Sequence, residues 1–332
     1  MEKRNIFFER LVKFFTVILF TICSLFFVGF LPSFCESAPS GKITHKYLFE
    51  IKPDANKIGA LNQPADIAVD VSGNLYAADT VNSRIVVFDA SGNAKFAFGR
   101  HGTGKEELSA PMALTVDSKN KKVYVADSSN YRIQIFKTDG IFLSSIDLNK
   151  DKTGEEKDVR PIGIAVAGGG NIYVSDADNN YIRIYSSDGK FLSKFGGFGS
   201  ENGKFCIPVG LFVDADDKLY VVDMNNSRLQ VFDNQGNFLF KIGSAGDARG
   251  DFGRPKDVCV DENGFIYVSD GANLVIQIFD KNGEFIDLIG AEKEVDLQFA
   301  SPFGLAVLNG RLYITDRWRN SIRVYEIEEV SK

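Results

Sequence analysis

From residue 64 onward, short apolar runs alternate with polar turn clusters, and the pattern repeats with a fixed period. Pro64, Pro111, Pro161, Pro208, Pro255 and Pro302 each open a unit, at intervals of 47 residues apart from one of 50. A period in this range marks a repeat fold. Each proline leads a short apolar strand, usually closed by Asp. A turn follows, then an aliphatic-Tyr-aliphatic strand ending in Asp, a loop, and an aliphatic strand closed by an aromatic residue. The Tyr stands three residues before that Asp every time, as in Tyr76, Tyr124 and Tyr173.

Turn clusters such as Ser72-Gly73-Asn74, Asp139-Gly140 and Asn282-Gly283 are hairpin signals, and no stretch has a helical period. The runs Ile67-Ala68-Val69 and Val258-Cys259-Val260 are nearly continuous in apolar residues, as expected of a sheet covered on both faces. Four-stranded sheets stacked around an axis supply that burial. The spacing therefore predicts an all-β fold, a six-bladed β-propeller of four-stranded antiparallel blades.

Closure is legible at the chain ends. Five units finish with an outer strand, such as Phe238 to Ile242, whereas the sixth stops after its third strand, at Ile322 to Ile327. The missing strand stands before the first repeat, where Tyr47-Leu48-Phe49-Glu50-Ile51 resembles Phe238-Leu239-Phe240-Lys241-Ile242. Residues 46 to 51 are predicted to complete the last blade and so remove an exposed sheet edge.

The segments Pro64-Ala-Asp-Ile-Ala-Val-Asp, Gly73-Asn-Leu-Tyr-Ala-Ala-Asp and Asn82-Ser-Arg-Ile-Val-Val-Phe resemble the NHL repeat. The resemblance spans residues 46 to 327 and recurs in register. It implies a six-bladed propeller used mostly as a binding platform and sometimes recruited for catalysis. The repeating polar residues are Asp79, Asp127, Asp176, Asp223, Asp270 and Asp316, with Arg84, Arg132 and Arg228 five positions on. Tyr181, Val275 and Ser321 replace the Arg in the other units. Near-copies at fixed offsets read as structural residues that satisfy turns, since a catalytic site needs an asymmetric set.

The N-terminus is a separate device. Lys3, Arg4, Arg10 and Lys13 precede an uncharged apolar stretch from Phe14 to Leu31. Residues 1–37 are read as a signal peptide, cleaved after Ser37, or as a single membrane anchor. Residues 38–332 form the propeller domain, and the basic flank places it outside the cytoplasm, periplasmic, secreted or anchored. A formal charge of −6 without a Lys/Arg stripe argues against a nucleic-acid surface.

Loops between second and third strands should share a face with the long, unequal linkers between blades, and function concentrates on such loops. There Arg317-Trp318-Arg319 replaces ordinary turn residues such as Thr80-Val81-Asn82, and Trp318 is the only tryptophan. Trp and Arg are enriched in binding hot spots, which makes these three the leading candidates for contacting a protein or envelope glycan. The bland alternative packs Trp318 against a neighbouring linker. Tyr131 and Tyr181, on equivalent loops, are further candidates. The charged linker 150–158 reads as a solvated loop.

Enzymatic readings have less material. His45 and His101 are the only histidines, too few for a His-rich zinc site, and His101 is expected on an exposed linker. Asp66 and Asp257, two residues after their prolines, could approach the channel mouth and bind calcium, or simply bond the adjacent loop. Cys259 reads as a small buried residue that could pair with Cys206. No cofactor is otherwise indicated. The first expectation is an exported noncatalytic binding scaffold; the alternative is a metal-dependent hydrolase or lyase centred on the channel.

Overall fold

A computed structural model describes residues 42–53, 57–291 and 297–330. The segment read as a signal or anchor, residues 1–37, lies outside them. Among the described residues no helix is long and apolar enough to cross a membrane. Among the described residues, short 3-10 turns interrupt the strands at Ser128–Asn130, Leu148–Asp151 and Met224–Asn226.

Six four-stranded antiparallel sheets form the six blades, five of them running in chain order from an innermost to an outer strand. Blade 1, for example, holds Asp66–Val69, Leu75–Asp79, Arg84–Phe88 and Ala94–Phe98. The innermost strands of successive blades lie side by side, and Pro302–Leu308 of blade 6 returns to Asp66–Val69 of blade 1. Blade 6 is completed by Lys42–Ile51, which pairs antiparallel with Ser321–Val330 in a register that sets Tyr47 opposite Tyr325. The closing strand thus begins earlier than position 46 because Ile43 is itself buried.

The repeated residues now have causes. The Asp that ends a first strand caps the following turn: Asp70 accepts from the backbone of Ser72 and Asn74, both at 2.9 Å. The recurring Tyr donates to that same carboxylate, as Tyr220 does to Asp214 at 3.0 Å and Tyr267 to Asp261 at 2.9 Å. Hydroxyls tie neighbouring blades together: Thr80 donates to the Pro111 carbonyl, Ser175 to that of Val209 and Ser128 to that of Pro161.

The linkers do more than connect. Leu61, Leu108, Phe205, Phe252 and Phe299, each three residues before a proline, are buried as plugs beside the blades. Glycines ending the outer strands leave room for them: a Cβ on Gly196 would meet the Phe205 ring at 2.6 Å, and one on Gly290 would meet Phe299 at the same distance. Linker carbonyls also accept from the loops between second and third strands, as Arg254 does from Gly271 and Ser301 from Arg317. Linkers and these loops therefore occupy one face of the ring, and the tight turns occupy the other.

Candidate functional site

Each second-strand Asp anchors a latch on the loop-rich face. Asp127, fully buried, accepts from the Ser109 backbone at 2.6 Å, from Asn130 at 2.9 Å and from Arg132 Nε at 2.7 Å. The Arg132 fork then reaches the carbonyls of Thr103, Gly104 and Glu107 in the preceding linker. Asp79 with Arg84, and Asp223 with Arg228, repeat the arrangement. These residues fasten linkers to blades.

Where the Arg is absent, a residue two positions further along the third strand takes over. Arg183 donates to Asp176 at 2.9 Å and to Glu156 at 2.6 Å, and is fully buried. Glu156 also pairs with Lys194, so the charged linker docks into blade 3 rather than lying solvated. A buried guanidinium needs that second carboxylate to offset its desolvation. Gln277 reaches the Asp251 carbonyl at 2.6 Å in blade 5, and Arg323 reaches that of Leu297 at 2.7 Å in blade 6. In blade 5 Asp270 takes up the backbone amides of Gly253 and Arg254.

The three residues of the 317–319 loop have separate surroundings. Trp318 is 75% exposed, so it does not pack against a linker. Arg319 belongs to the latch, 3.6 Å from Asp316 and donating to the Gln298 carbonyl. Arg317 turns inward, with its guanidinium carbon 4.8 Å from the centre of the Phe303 ring. Burial lowers its basicity below the ordinary arginine value. Val81 and Leu274, on the corresponding loops of blades 1 and 5, are also exposed, so three consecutive blades present an apolar side chain on this face.

Tyr131 and Tyr181 lie on blades 2 and 3, apart from this group. Tyr131 occupies the left-handed region at φ 55°, and Tyr181 lies 4.6 Å beneath the Lys194 ammonium. His101 is exposed on its linker. His45 faces Asp287 at 3.4 Å. Cys206 and Cys259 are both free thiols, and burial pushes that of Cys259 well up.

The innermost strands enclose a cavity of about 300 Å³ whose lining includes Asp66, Asp257, Lys256 and Phe303. Asp66 accepts from the Leu114 backbone and Asp257 from that of Leu305, both at 2.8 Å, so each carboxylate bridges to the next blade. Glycines face them: a Cβ on Gly304 would sit 2.5 Å from Asp66 Cα, and one on Gly210 would sit 2.6 Å from Asp257 Cα. Desolvation pushes Asp257 up to about 7. Asp66 is raised well above the usual range by desolvation and by repulsion from Asp257.

Two carboxylates already bonded to backbone amides fall short of the six to eight oxygens that calcium takes. Among the described residues no group of three or more His, Cys, Asp or Glu is placed to hold a metal ion.

Lys256 was not singled out by the sequence reading. It follows its proline at a position filled elsewhere by Ala65, Met112, Ile162, Val209 and Phe303, and that contrast was the available signal. Its ammonium lies 5.6 Å from the centre of the Phe303 ring. Desolvation, then the nearby Arg254 and Arg317, push it down to about 8.

Comparison with known proteins agrees with this geometry. A family model described as an NHL repeat matches residues 61–88, and one described as a 6-bladed beta-propeller matches residues 202–286. Protein brain tumor of Drosophila melanogaster is 33% identical over 86 residues, which is 26% of this chain and only 8% of that protein's length. Among solved structures, virginiamycin B lyase from Staphylococcus aureus with quinupristin aligns at TM-score 0.58 and 17% identity, over 87% of this chain and 88% of the other. A gluconolactonase from Xanthomonas campestris aligns at TM-score 0.59 and 15% identity, over 85% and 99%. At such identities the two enzymes share the fold alone. The chain is a six-bladed β-propeller, and its segment 61–88 matches the NHL repeat.

Proposed function

We propose that this chain is an exported, noncatalytic binding protein that takes a protein partner on the loop-rich face around blade 6. The observation that carries the reading is Trp318, a large aromatic side chain left 75% exposed on a loop whose two flanking arginines are both engaged. An exposed aromatic held on a rigid scaffold loses little entropy on binding, and Trp is the residue most enriched in hot spots. Val81 and Leu274 on the adjacent blades extend the apolar surface. The repetitive latches account for the recurring Asp and Arg residues elsewhere on this face. The basic and apolar composition of residues 1–37 supports export, and protease accessibility of the ring in intact cells tests it.

The binding test compares wild type with Trp318→Ala in affinity capture from an envelope fraction. Loss of a specific protein at unchanged thermal stability supports the reading, and undiminished capture overturns it. A glycan recovered in place of a protein changes the partner but keeps the face.

The second reading, a metal-dependent hydrolase or lyase at the channel, draws on the Asp66–Asp257 pair in the 300 Å³ cavity. It requires stoichiometric metal in the purified protein and the loss of that metal on Asp257→Asn.

A further inference from the structure

We infer that the channel mouth between blades 5 and 6 is a seat for a carboxylate-bearing segment of the protein partner, held by Arg254, Lys256 and Arg317. The inference rests on the loop-rich face being the binding face and specifies the chemistry it accepts.

Lys256 and Arg317 contact the same ring, Phe303, at 5.6 Å and 4.8 Å. Arg254 is exposed two residues before Lys256 and close enough to repel its charge. Among the described residues none of the three has an ion-pair partner. The Lys256 ammonium instead contacts the Met224 sulfur at 3.4 Å. Asp270, the acid acting on Lys256, is occupied by the backbone amides of Gly253, Arg254, Ala272 and Asn273 and by the Asn273 side chain.

The repeat supplies its own control. Arg160 stands before Pro161 as Arg254 stands before Pro255, and Arg160 is neutralised by Asp178 at 2.7 Å. The position matching Asp178 in blade 5 is Ala272, so the same arginine has lost its counter-charge. Lys256 adds a charge where the other blades carry apolar residues. Cations gathered without acids repel one another in the free protein, and an incoming anion relieves that repulsion.

Asp66 and Asp257 line the cavity behind the mouth. The basic group is confined to two blades of a chain with net charge −6 and adjoins exposed Trp318, which suits an acidic protein segment better than a nucleic-acid backbone.

The test uses the purified full chain in detergent and fluorescence anisotropy with a labelled hexaglutamate peptide. A hexalysine peptide and an oligouridylate serve as comparison probes. Lys256→Met and Arg317→Met keep the packing on Phe303 while removing charge, and Arg254→Gln changes an exposed side chain. Lys241→Met, on an exposed outer strand, is the charge control.

Saturable hexaglutamate binding that each mouth variant weakens about tenfold, and that Lys241→Met leaves unchanged, is the expected result. No saturable binding, equal loss with Lys241→Met, or tighter oligouridylate binding through the same residues overturns the inference. If Lys256→Met or Arg317→Met melts early, Arg254→Gln decides. Failure here with Trp318-dependent capture intact removes the acidic seat but not the binding face. Loss of Trp318 dependence removes the binding face itself.

Discussion

Gly243 and Phe252 lock a linker onto blade 4: a Cβ on Gly243 would lie 2.3 Å from the Phe252 ring, and Gly243 itself holds φ at 84°. Both the space and the backbone angle exclude a side chain there. Gly243→Ala is therefore expected to destabilise the ring by about 2–4 kcal/mol, combining overpacking with a left-handed alanine. Urea unfolding measures it; a change near zero would mean that the linker plug is not a fixed part of the fold.

Arg183 should be costly to remove. It is fully buried between Asp176 and Glu156, so Arg183→Met leaves the buried Asp176 without its cation and Glu156 with Lys194 alone. The expected loss is about 3–5 kcal/mol. The same substitution at Arg100, an exposed residue paired with Glu107, should cost less than about 1 kcal/mol.

The channel carboxyls make stability depend on pH in a stated direction. Asp257 titrates near 7 in the folded ring and near 3.8 as an ordinary Asp, so the folded state holds its proton more tightly. Its favourable contribution is complete below about pH 4 and is lost as pH rises through about 7. Asp257→Asn keeps an acceptor for the Leu305 amide and cannot ionise. Thermal melts from pH 4 to 8 should therefore fall less steeply for the variant; parallel curves would refute the assignment.

Trp318, the only tryptophan, reports its own surroundings. At 75% exposure it should emit as a water-exposed indole, be quenched freely by acrylamide, and shift little in wavelength on unfolding. Trp318→Ala should change stability by no more than about 0.5 kcal/mol, the usual range for exposed positions. A shielded, blue-shifted emission would place it in the core.

The ring and its closing strand were legible because their signal is repetition, and Pro, Tyr and Asp recur wherever the same turn or strand recurs. The latch in blade 3 was not, because Arg183 approaches Asp176 from two positions beyond the expected Tyr181. Side chains two apart share a face of a strand, so the substitution preserves the contact while breaking the motif. The linker plugs Leu61, Leu108, Phe205, Phe252 and Phe299 hid as single apolar residues within polar loops. At the candidate site, Trp318 stood out by its type. Lys256 did not, because its meaning depends on the apolar residues at the matching positions and on Ala272 replacing an acid.

The face that binds is the central point, and site-specific photo-crosslinking addresses it directly. A photoreactive side chain is placed at position 318 on the loop-rich face or at position 282, in an exposed tight turn on the opposite face. Crosslinking in intact cells should yield a discrete protein adduct from 318 and none from 282. An adduct from 282 alone, or the same adducts from both, would contradict the assignment of the loop-rich face.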